Sequence, residues 1–301
     1  MTRAAPLLLT TLVALSRPPS LAAQTPAGPA GTDIWVANLA RRDGRLTLGA
    51  PANITARPGY DNQPAFLPDG SGLLYTRIGA DAQADVWRYD FASHTARALT
   101  TTAESEYSPT PIPGRGGIST VRVERDSTQR LWRLDADGSN PALILDRLKP
   151  VGYHAWAGDS TLVLFVLGEP NALVVAIPAT GRVDTVARNV GRSPQSIPGR
   201  HAVSFVQRVD STESWLAEVD AETRTVRRLA RLPPRADFHA WTPDGLVLTS
   251  DGEKLYQWNA RAGGPWVPIA DLGALGLRGV TRLAVSPRGD RLALVAPDPA
   301  P

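Results

Sequence analysis

The chain has 301 residues, a formal net charge of +3 at pH 7 and no cysteine. The lack of cysteine excludes disulfides, thiolate metal sites and a lipid anchor on a cysteine. Nearly all of the 32 basic residues are arginines, but they are scattered over turns and strands without a basic stripe, so no nucleic-acid partner is expected.

The N-terminal residues 1–23 have the features of a secretory signal peptide. Arg3 supplies a positive charge, and Ala4–Leu15 is an apolar run that is too short to span a bilayer. Residues 24–32 then form a Pro- and Gly-rich linker. No later segment is apolar over about 18 residues, so no membrane insertion is expected. These features predict a periplasmic or secreted protein, which we expect to be a monomer without a cofactor.

The first complete structural unit covers residues 60–100. It contains four short segments that are apolar, aromatic or β-branched, and we predict these to be strands: Pro64–Leu67, Leu73–Arg77, Asp85–Asp90 and Ala96–Thr100. The segment Pro68–Gly72 has the composition of a tight turn, because proline presets φ and glycine allows positive φ. A four-stranded unit of this kind cannot bury both of its faces alone, so it requires neighbours of the same kind.

The unit recurs with a period of roughly 40–45 residues. The turn position is occupied in order by Pro68, Pro113, Gly158, Pro198, Pro243 and Pro287. The third strands carry Trp35, Trp87, Trp132, Val174, Trp215 and Tyr256 at one equivalent position. Four strands at this period are typical of β-propeller blades. The regular placement of the tryptophans predicts that they pack between blades rather than bind a sugar.

The two ends of the chain are complementary halves of one blade. Asp33–Thr55 supplies a third and a fourth strand, and Thr281–Val295 supplies a first and a second strand. Pairing of the two halves would remove the two sheet edges that the half-blades otherwise expose. The sequence therefore predicts an all-β, six-bladed β-propeller over residues 33–296, closed by pairing of the N-terminal and C-terminal half-blades, with residues 297–301 as a tail.

Several of these motifs resemble the WD40-like PD40 repeats, which form the propeller of TolB and also occur in prolyl-oligopeptidase-type peptidases. The turns Leu67–Gly70, Thr242–Gly245 and Ser286–Gly289 are similar to the Ser-Pro-Asp-Gly turn of these repeats, and Asp85–Asp90 is similar to their third strand. The resemblance implies a TolB-like propeller. We expect neither the additional α/β domain of TolB nor a hydrolase domain, because the chain offers no room for the first and contains no G-x-S-x-G motif.

Propellers commonly bind ligands at the mouth of the central channel, which is reached by the segments leading into each innermost strand. In this chain those segments carry charges, aromatic rings and amides that turn geometry does not require. The candidate ligand-binding residues are Asp61, Asn62, Glu106, Tyr107, Tyr153, His154, Arg192, Asp237, His239 and Arg282. Their mixed charges suit a polar peptide tail or a small zwitterionic ligand, with Arg192 as the expected anchor for a carboxylate.

These residues favour a non-catalytic binding or scaffold protein that engages a protein or peptide at the channel mouth. The alternative is a metal-assisted hydrolase or lyase, in which His154 and His239 would bind a metal together with nearby carboxylates. The two histidines occupy equivalent His-Ala-Trp positions, however, so each could instead be a repeat element that bonds to the neighbouring blade. The mouth residues could also merely hydrogen-bond to one another and seal the channel.

Overall fold

The strands lie in six antiparallel sheets that surround a central channel. The computed structural model describes Met1 and residues 29–298. Residues 2–23 of the expected signal peptide, residues 24–28 of the expected linker and residues 299–301 of the expected tail lie outside the described residues. Strands alone make up the regular structure of the described range, and within it no helix is long and apolar enough to cross a membrane. The predicted all-β, six-bladed propeller is confirmed.

The first strands of the chain belong to the last blade to be completed, blade 6. They are β1 (Thr32–Arg42), β2 (Arg45–Leu48) and β3 (Ala52–Asn53). Blade 1 consists of β4 (Asp61–Phe66), β5 (Gly72–Ile78), β6 (Ala84–Asp90) and β7 (Thr95–Ala98). Blade 2 consists of β8 (Ser105–Pro111), β9 (Ile118–Val123), β10 (Gln129–Leu134) and β11 (Ala142–Leu143).

The later blades repeat this order from the channel outward. Blade 3 consists of β12 (Val151–Ala157), β13 (Thr161–Val166), β14 (Ala172–Ile177) and β15 (Arg182–Arg188). Blade 4 consists of β16 (Gln195–Ser196), β17 (Ala202–Arg208), β18 (Ser214–Asp220) and β19 (Val226–Arg231). Blade 5 consists of β20 (His239–Trp241), β21 (Leu246–Ser250), β22 (Lys254–Asn259) and β23 (Gly263–Asp271). Blade 6 begins with β24 (Leu283–Val285) and β25 (Arg291–Pro297).

Blade 6 is completed by the start of the chain. Strand β25 pairs antiparallel with β1, so that Leu294 lies opposite Trp35 and Ala293 lies opposite Val36. The outer position of this blade is divided, because β2 pairs with the far end of β1 and β3 pairs with its beginning. Innermost strand β24 contacts β4 of blade 1, which closes the ring. The predicted pairing of the two half-blades is therefore confirmed.

The hydrophobic core consists of six clusters, one between each pair of neighbouring blades. The second strand of each blade has five buried residues in succession, because a neighbouring blade covers each of its faces. Strand β13, for example, reads TLVLFV and has five buried residues in succession. The outermost strands face solvent on one side, and β7 and β19 contain mostly exposed or half-exposed residues.

The repeated Pro-Asp-Gly turn is explained by its local hydrogen bonds. In blade 1 the Gly70 N–H donates to the Leu67 carbonyl, and Gly70 has a φ of +71°, which favours glycine. The Asp69 carboxylate accepts from both the backbone N–H and the hydroxyl of Ser71. The motif therefore serves the turn itself, and the fold accounts for its recurrence.

The third-strand tryptophans are half-buried rather than fully buried. Trp35 and Trp87 pack against the inter-blade clusters, in agreement with the prediction. The indole N–H groups of Trp132 and Trp215 donate to the carboxylates of Glu124 and Glu213. At these two positions each tryptophan therefore also makes a polar contact within its own blade.

Removal of residues 279–301 tests the closure of the ring. This deletion removes β24 and β25, so it exposes the edge of β1 and one face of two inter-blade clusters. We expect the truncated protein to unfold or to oligomerise, as measured by thermal melting and by size-exclusion chromatography. A control that lacks only residues 299–301 keeps both strands and should behave like the full chain. A monomeric 1–278 fragment with an unchanged melting temperature would contradict the role of this pairing.

Candidate functional site

The central channel contains a cavity of about 470 Å³ that is lined by residues from all six blades. Two rings of side chains follow the spacing of the repeat. Five positions before each turn residue lie Gln63, Ser108, Tyr153, Ser193, Phe238 and Arg282. Three positions before each turn residue lie Ala65, Thr110, Ala155, Gln195, Ala240 and Ala284. Alternate residues of a strand face the same side, so the innermost strands present both rings to the channel.

Half of the predicted site residues line this cavity, and half do not. The structure brings together Tyr153, His154, Arg192, His239 and Arg282 along the channel. It does not bring the other five to the cavity: Asp61, Asn62, Glu106, Tyr107 and Asp237.

Local backbone geometry explains this difference in blades 1 and 2. The segments that we expected to be loops are the first residues of β4 and β8, so the innermost strands begin earlier than predicted. Each strand then has an irregularity at a residue with positive φ, which is +59° at Gln63 and +55° at Ser108. Residues before the irregularity pair with the second strand of their own blade. A bulge of this kind changes which side chains reach the channel.

The two acidic residues before these irregularities form equivalent buried ion pairs. Asp61 lies 2.9 Å from Arg77, whose guanidinium lies 4.1 Å from the ring centroid of Trp87. Glu106 lies 3.0 Å from Arg122, whose guanidinium lies 4.8 Å from the ring centroid of Trp132. Both acidic side chains are fully buried. The acid–arginine–tryptophan stack is thus a repeated structural unit of blades 1 and 2.

Neither buried carboxylate is available to a ligand. Burial raises the pKa of Asp61, and the hydrogen bond and charge of Arg77 partly offset this effect. Burial likewise raises the pKa of Glu106, with Thr102 and Arg122 acting in the opposite direction. Each group therefore depends on its partners for its charge, and a channel ligand has no access to either of them.

The other residues outside the cavity lining also have partners within the protein. Asp237 accepts two hydrogen bonds from Arg208, at 2.7 and 2.8 Å. The Asn62 amide donates to the Thr32 hydroxyl at 3.1 Å, which joins blade 1 to blade 6. Tyr107 packs against the cluster between blades 2 and 3. The expectation that the channel mouth carries charges of both signs is therefore not met, because the acidic residues are neutralised internally.

The two histidines form equivalent bridges between neighbouring blades. The Ser119 hydroxyl of blade 2 lies 2.6 Å from His154 Nε2 and accepts from the Trp156 indole N–H at 2.9 Å. In blades 4 and 5 the Ser204 hydroxyl lies 2.7 Å from His239 Nε2 and accepts from Trp241 at 2.7 Å.

Because both histidines are buried, the pKa of each is lowered to about 3 and each ring is neutral near pH 7. The interpretation of these histidines as repeat elements that bond to the neighbouring blade is confirmed.

The ligand set expected for a metal is not assembled in the described part of the chain. Residues 29–298 contain no group of three or more His, Asp or Glu side chains arranged to hold a metal ion. The Nε2 atoms of His154 and His239 contact serines, and the carboxylates of Asp61 and Glu106 contact arginines.

One end of the cavity is cationic and aromatic. We call Tyr153, Arg192, Phe238 and Arg282 the cationic mouth. The Arg282 guanidinium lies 4.6 Å from the ring centroid of Tyr153 in blade 3 and 4.7 Å from that of Phe238, which precedes blade 5. Arg192 is exposed, and within residues 29–298 neither arginine forms an ion pair with a carboxylate. Burial raises the pKa of the adjacent Tyr60 to about 12, so this phenol adds no negative charge.

Sequence reasoning missed several residues that line the cavity, including Phe238, Gln63, Ser193 and Gln195. The repeat spacing was the signal that could have identified them. Each of the four lies three or five positions before a turn residue, in the same series that contains Tyr153 and Arg282. Selecting residues by charge or ring type, rather than by this spacing, favoured acidic side chains that turn out to be structural.

No protein-family model matches the chain, and no curated protein matches it. A solved structure assigned as TolB from Agrobacterium tumefaciens is 16% identical, with a TM-score of 0.70 over 91% of this chain and 100% of that chain. An oligogalacturonate lyase in complex with manganese is 14% identical, with a TM-score of 0.58 over 84% of this chain and 82% of that chain. A gluconolactonase from Xanthomonas campestris is 12% identical, with a TM-score of 0.59 over 91% of this chain and 99% of that chain. These similarities confirm the TolB-like propeller fold.

The buried ion pair of blade 2 should be required for stability. Arg122→Ala leaves Glu106 buried without its cation, and we expect a loss of about 3–5 kcal/mol in the free energy of unfolding. Denaturant titration measures this loss, with Arg97→Ala on exposed strand β7 as the matched control, for which we expect a change within about 0.5 kcal/mol. A loss below about 1 kcal/mol for Arg122→Ala would show that the pair is not structural.

The histidine bridges predict a dependence of stability on pH. The folded pKa of about 3 lies below the ordinary value of 6.5, so the unfolded chain binds more protons below pH 6.5. The stabilisation is present above pH 6.5 and is lost as the pH falls towards 3, by about 1.4 kcal/mol per pH unit for each histidine. Thermal or denaturant unfolding between pH 7 and 4.5 measures this loss. The double variant His154→Gln/His239→Gln should lose stability less steeply than wild type.

The exposed His94 provides the control for this measurement, and His94→Gln should keep the wild-type slope. If the double variant and wild type decline equally, the buried histidines do not control stability in acid.

Proposed function

We propose that this protein is a non-catalytic, periplasmic or secreted binding or scaffold protein that engages a protein or peptide at the cationic mouth. The observation that carries this proposal is the contrast in how the arginines are used. Arg77, Arg122 and Arg208 pair with carboxylates inside the structure, whereas Arg192 and Arg282 line the cavity without such a partner.

The composition of the cationic mouth supports a protein or peptide ligand. Aromatic residues and arginines supply most of the binding energy in protein interfaces, because both combine a large contact area with directional contacts. Tyr153 and Phe238 place two rings beside Arg282. The cavity of about 470 Å³ behind them has a volume typical of ligand pockets, so it could accept the end of a chain.

The enzyme alternative has less support from the site. Lyase and lactonase structures share the fold at 14% and 12% identity, and the fold does not determine function. A metal-assisted mechanism in this chain was expected to use His154, His239 and nearby carboxylates. Those groups are engaged in structural contacts, so a binding function accounts for the geometry with fewer assumptions.

The cellular location and the monomeric state remain part of this proposal. The location rests on the sequence of residues 1–23, whose charged start and apolar run are typical of a secretory signal. A periplasmic or secreted location agrees with the lack of cysteine, since no group of the protein would be subject to thiol oxidation. We propose a monomer because the pairing of β1 with β25 closes the ring within one chain.

Capture of a partner from the envelope fraction of the source cell tests this function. We expect immobilised wild-type protein to retain a partner, and Arg192→Ala and Tyr153→Ala to weaken its binding at least about tenfold, since each removes a central contact. Asp69→Ala, in a turn outside the cavity lining, is the control and should bind like wild type. If the mouth variants bind with unchanged affinity while substitutions on the outer strands reduce it, the binding surface lies on the outer strands and not at the mouth.

A further inference from the structure

We infer that the cationic mouth recognises a carboxylate at the end of its ligand, and specifically the C-terminal carboxylate of a peptide. This inference rests on the proposed function and adds the chemical group that is bound. It follows from the charges at the mouth, from the way in which Arg282 is held, and from the shape of the cavity behind it.

The charge of the mouth is positive because the neighbouring acids are already paired. Asp61 contacts both Arg57 and Arg77, Glu106 contacts Arg122, and Asp237 contacts Arg208. Arg192 and Arg282 therefore contribute two positive charges for which the described residues supply no carboxylate. An arginine keeps its charge at all ordinary pH values, so an anionic ligand supplies the missing partner.

Arg282 is positioned by aromatic rings rather than by an acid. Blades 3 and 6 face each other across a six-membered ring, so the contact of Arg282 with Tyr153 means that its side chain extends across the channel. A cation–π contact engages the ring face, while the guanidinium retains its N–H donors for another group. Two such contacts hold the fork in place before a ligand arrives.

A carboxylate matches this fork better than the other anions of proteins. The planar guanidinium can donate two parallel hydrogen bonds to the two oxygens of one carboxylate. The flexible ammonium of a lysine lacks this geometry, which makes Arg282→Lys an informative variant. Arg192, on the segment before β16 of blade 4, lines the same cavity and adds a second guanidinium for the same carboxylate or for the last peptide unit before it.

The cavity behind the mouth suits an extended chain end rather than a folded surface. Its second ring contains four alanines together with Thr110 and Gln195. The small side chains leave space within the cavity for a peptide backbone, and the hydroxyl and amide groups can bond to peptide groups. A C-terminus is the one part of a protein that offers a carboxylate on a single extended strand. A side-chain carboxylate would have to bring a wider segment of its chain into the same space.

The test compares two pools of N-acetylated pentapeptides of identical mixed sequence, one with a free C-terminal carboxylate and one with a C-terminal amide. Wild-type protein should bind the carboxylate pool at least about tenfold more tightly, since hydrogen bonds to a charged carboxylate are stronger than those to a neutral amide. Arg282→Ala should abolish the preference for the carboxylate pool, and Arg192→Ala should reduce it. Arg282→Lys should show a preference between those of Arg282→Ala and wild type. Arg97→Ala removes one surface arginine elsewhere and should leave it unchanged. The preference should also fall with increasing salt.

The outcomes separate this inference from the proposed function. Equal binding of both pools, with loss in Tyr153→Ala, would leave peptide binding at the mouth intact and overturn carboxylate recognition. Binding of galacturonate, a small carboxylic acid, without either peptide pool would uphold recognition of a carboxylate by Arg282 and overturn the peptide ligand. A variant that binds neither pool counts as evidence only if its melting temperature matches that of wild type, because an unfolded variant would also fail to bind. Absence of all binding by the wild-type protein would overturn the inference.

Discussion

The antiparallel pairing of β1 with β25 is the constraint on which the rest of this structure depends. Six clusters of apolar side chains, one between each pair of blades, make up the core, and no blade can bury both of its faces without two neighbours. If the pairing opened, the clusters on both sides of blade 6 would be exposed together with two strand edges. The channel would then lose Arg282, which lies on the segment before β24. Ring closure and the assembly of the mouth are therefore consequences of the same contact.

Within the closed ring, buried polar groups are arranged in repeated structural units. These units consist of acids, arginines, histidines and tryptophans, which are also the residue types expected in a binding site. The acid–arginine–tryptophan stacks of blades 1 and 2 and the serine–histidine–tryptophan bridges to blades 3 and 5 bring buried polar groups into contact with one another beside the channel. This internal pairing removes the negative charge from the vicinity of the cavity. The mouth becomes cationic because the acids are paired elsewhere, and the two arginines left over there are the basis of the proposed binding function.

The fold could be predicted from the sequence almost completely, and the site only in part. The turn prolines, the strand spacing and the two half-blades predicted the number of blades, their order and their closure, because these depend on local geometry and on a repeat visible in one dimension. Of the predicted site residues, the structure places Tyr153, His154, Arg192, His239 and Arg282 along the channel. Asp61 and Glu106 lie away from it, because the strands β4 and β8 begin earlier than expected and bend at Gln63 and Ser108.

The sequence by itself determined the turns, the strands and the requirement for a closed ring, since proline, glycine and alternating apolar residues act over short distances. Only the tertiary structure decided which charges remain unpaired. Arg77, Arg122 and Arg208, which pair with Asp61, Glu106 and Asp237, lie 16 to 29 residues away from them along the chain. Arg282 reaches Tyr153 only because blade 6 faces blade 3 across the channel. Ion pairing depends on distances of a few ångströms in space, and such distances are set by the packing of whole blades rather than by neighbours in sequence.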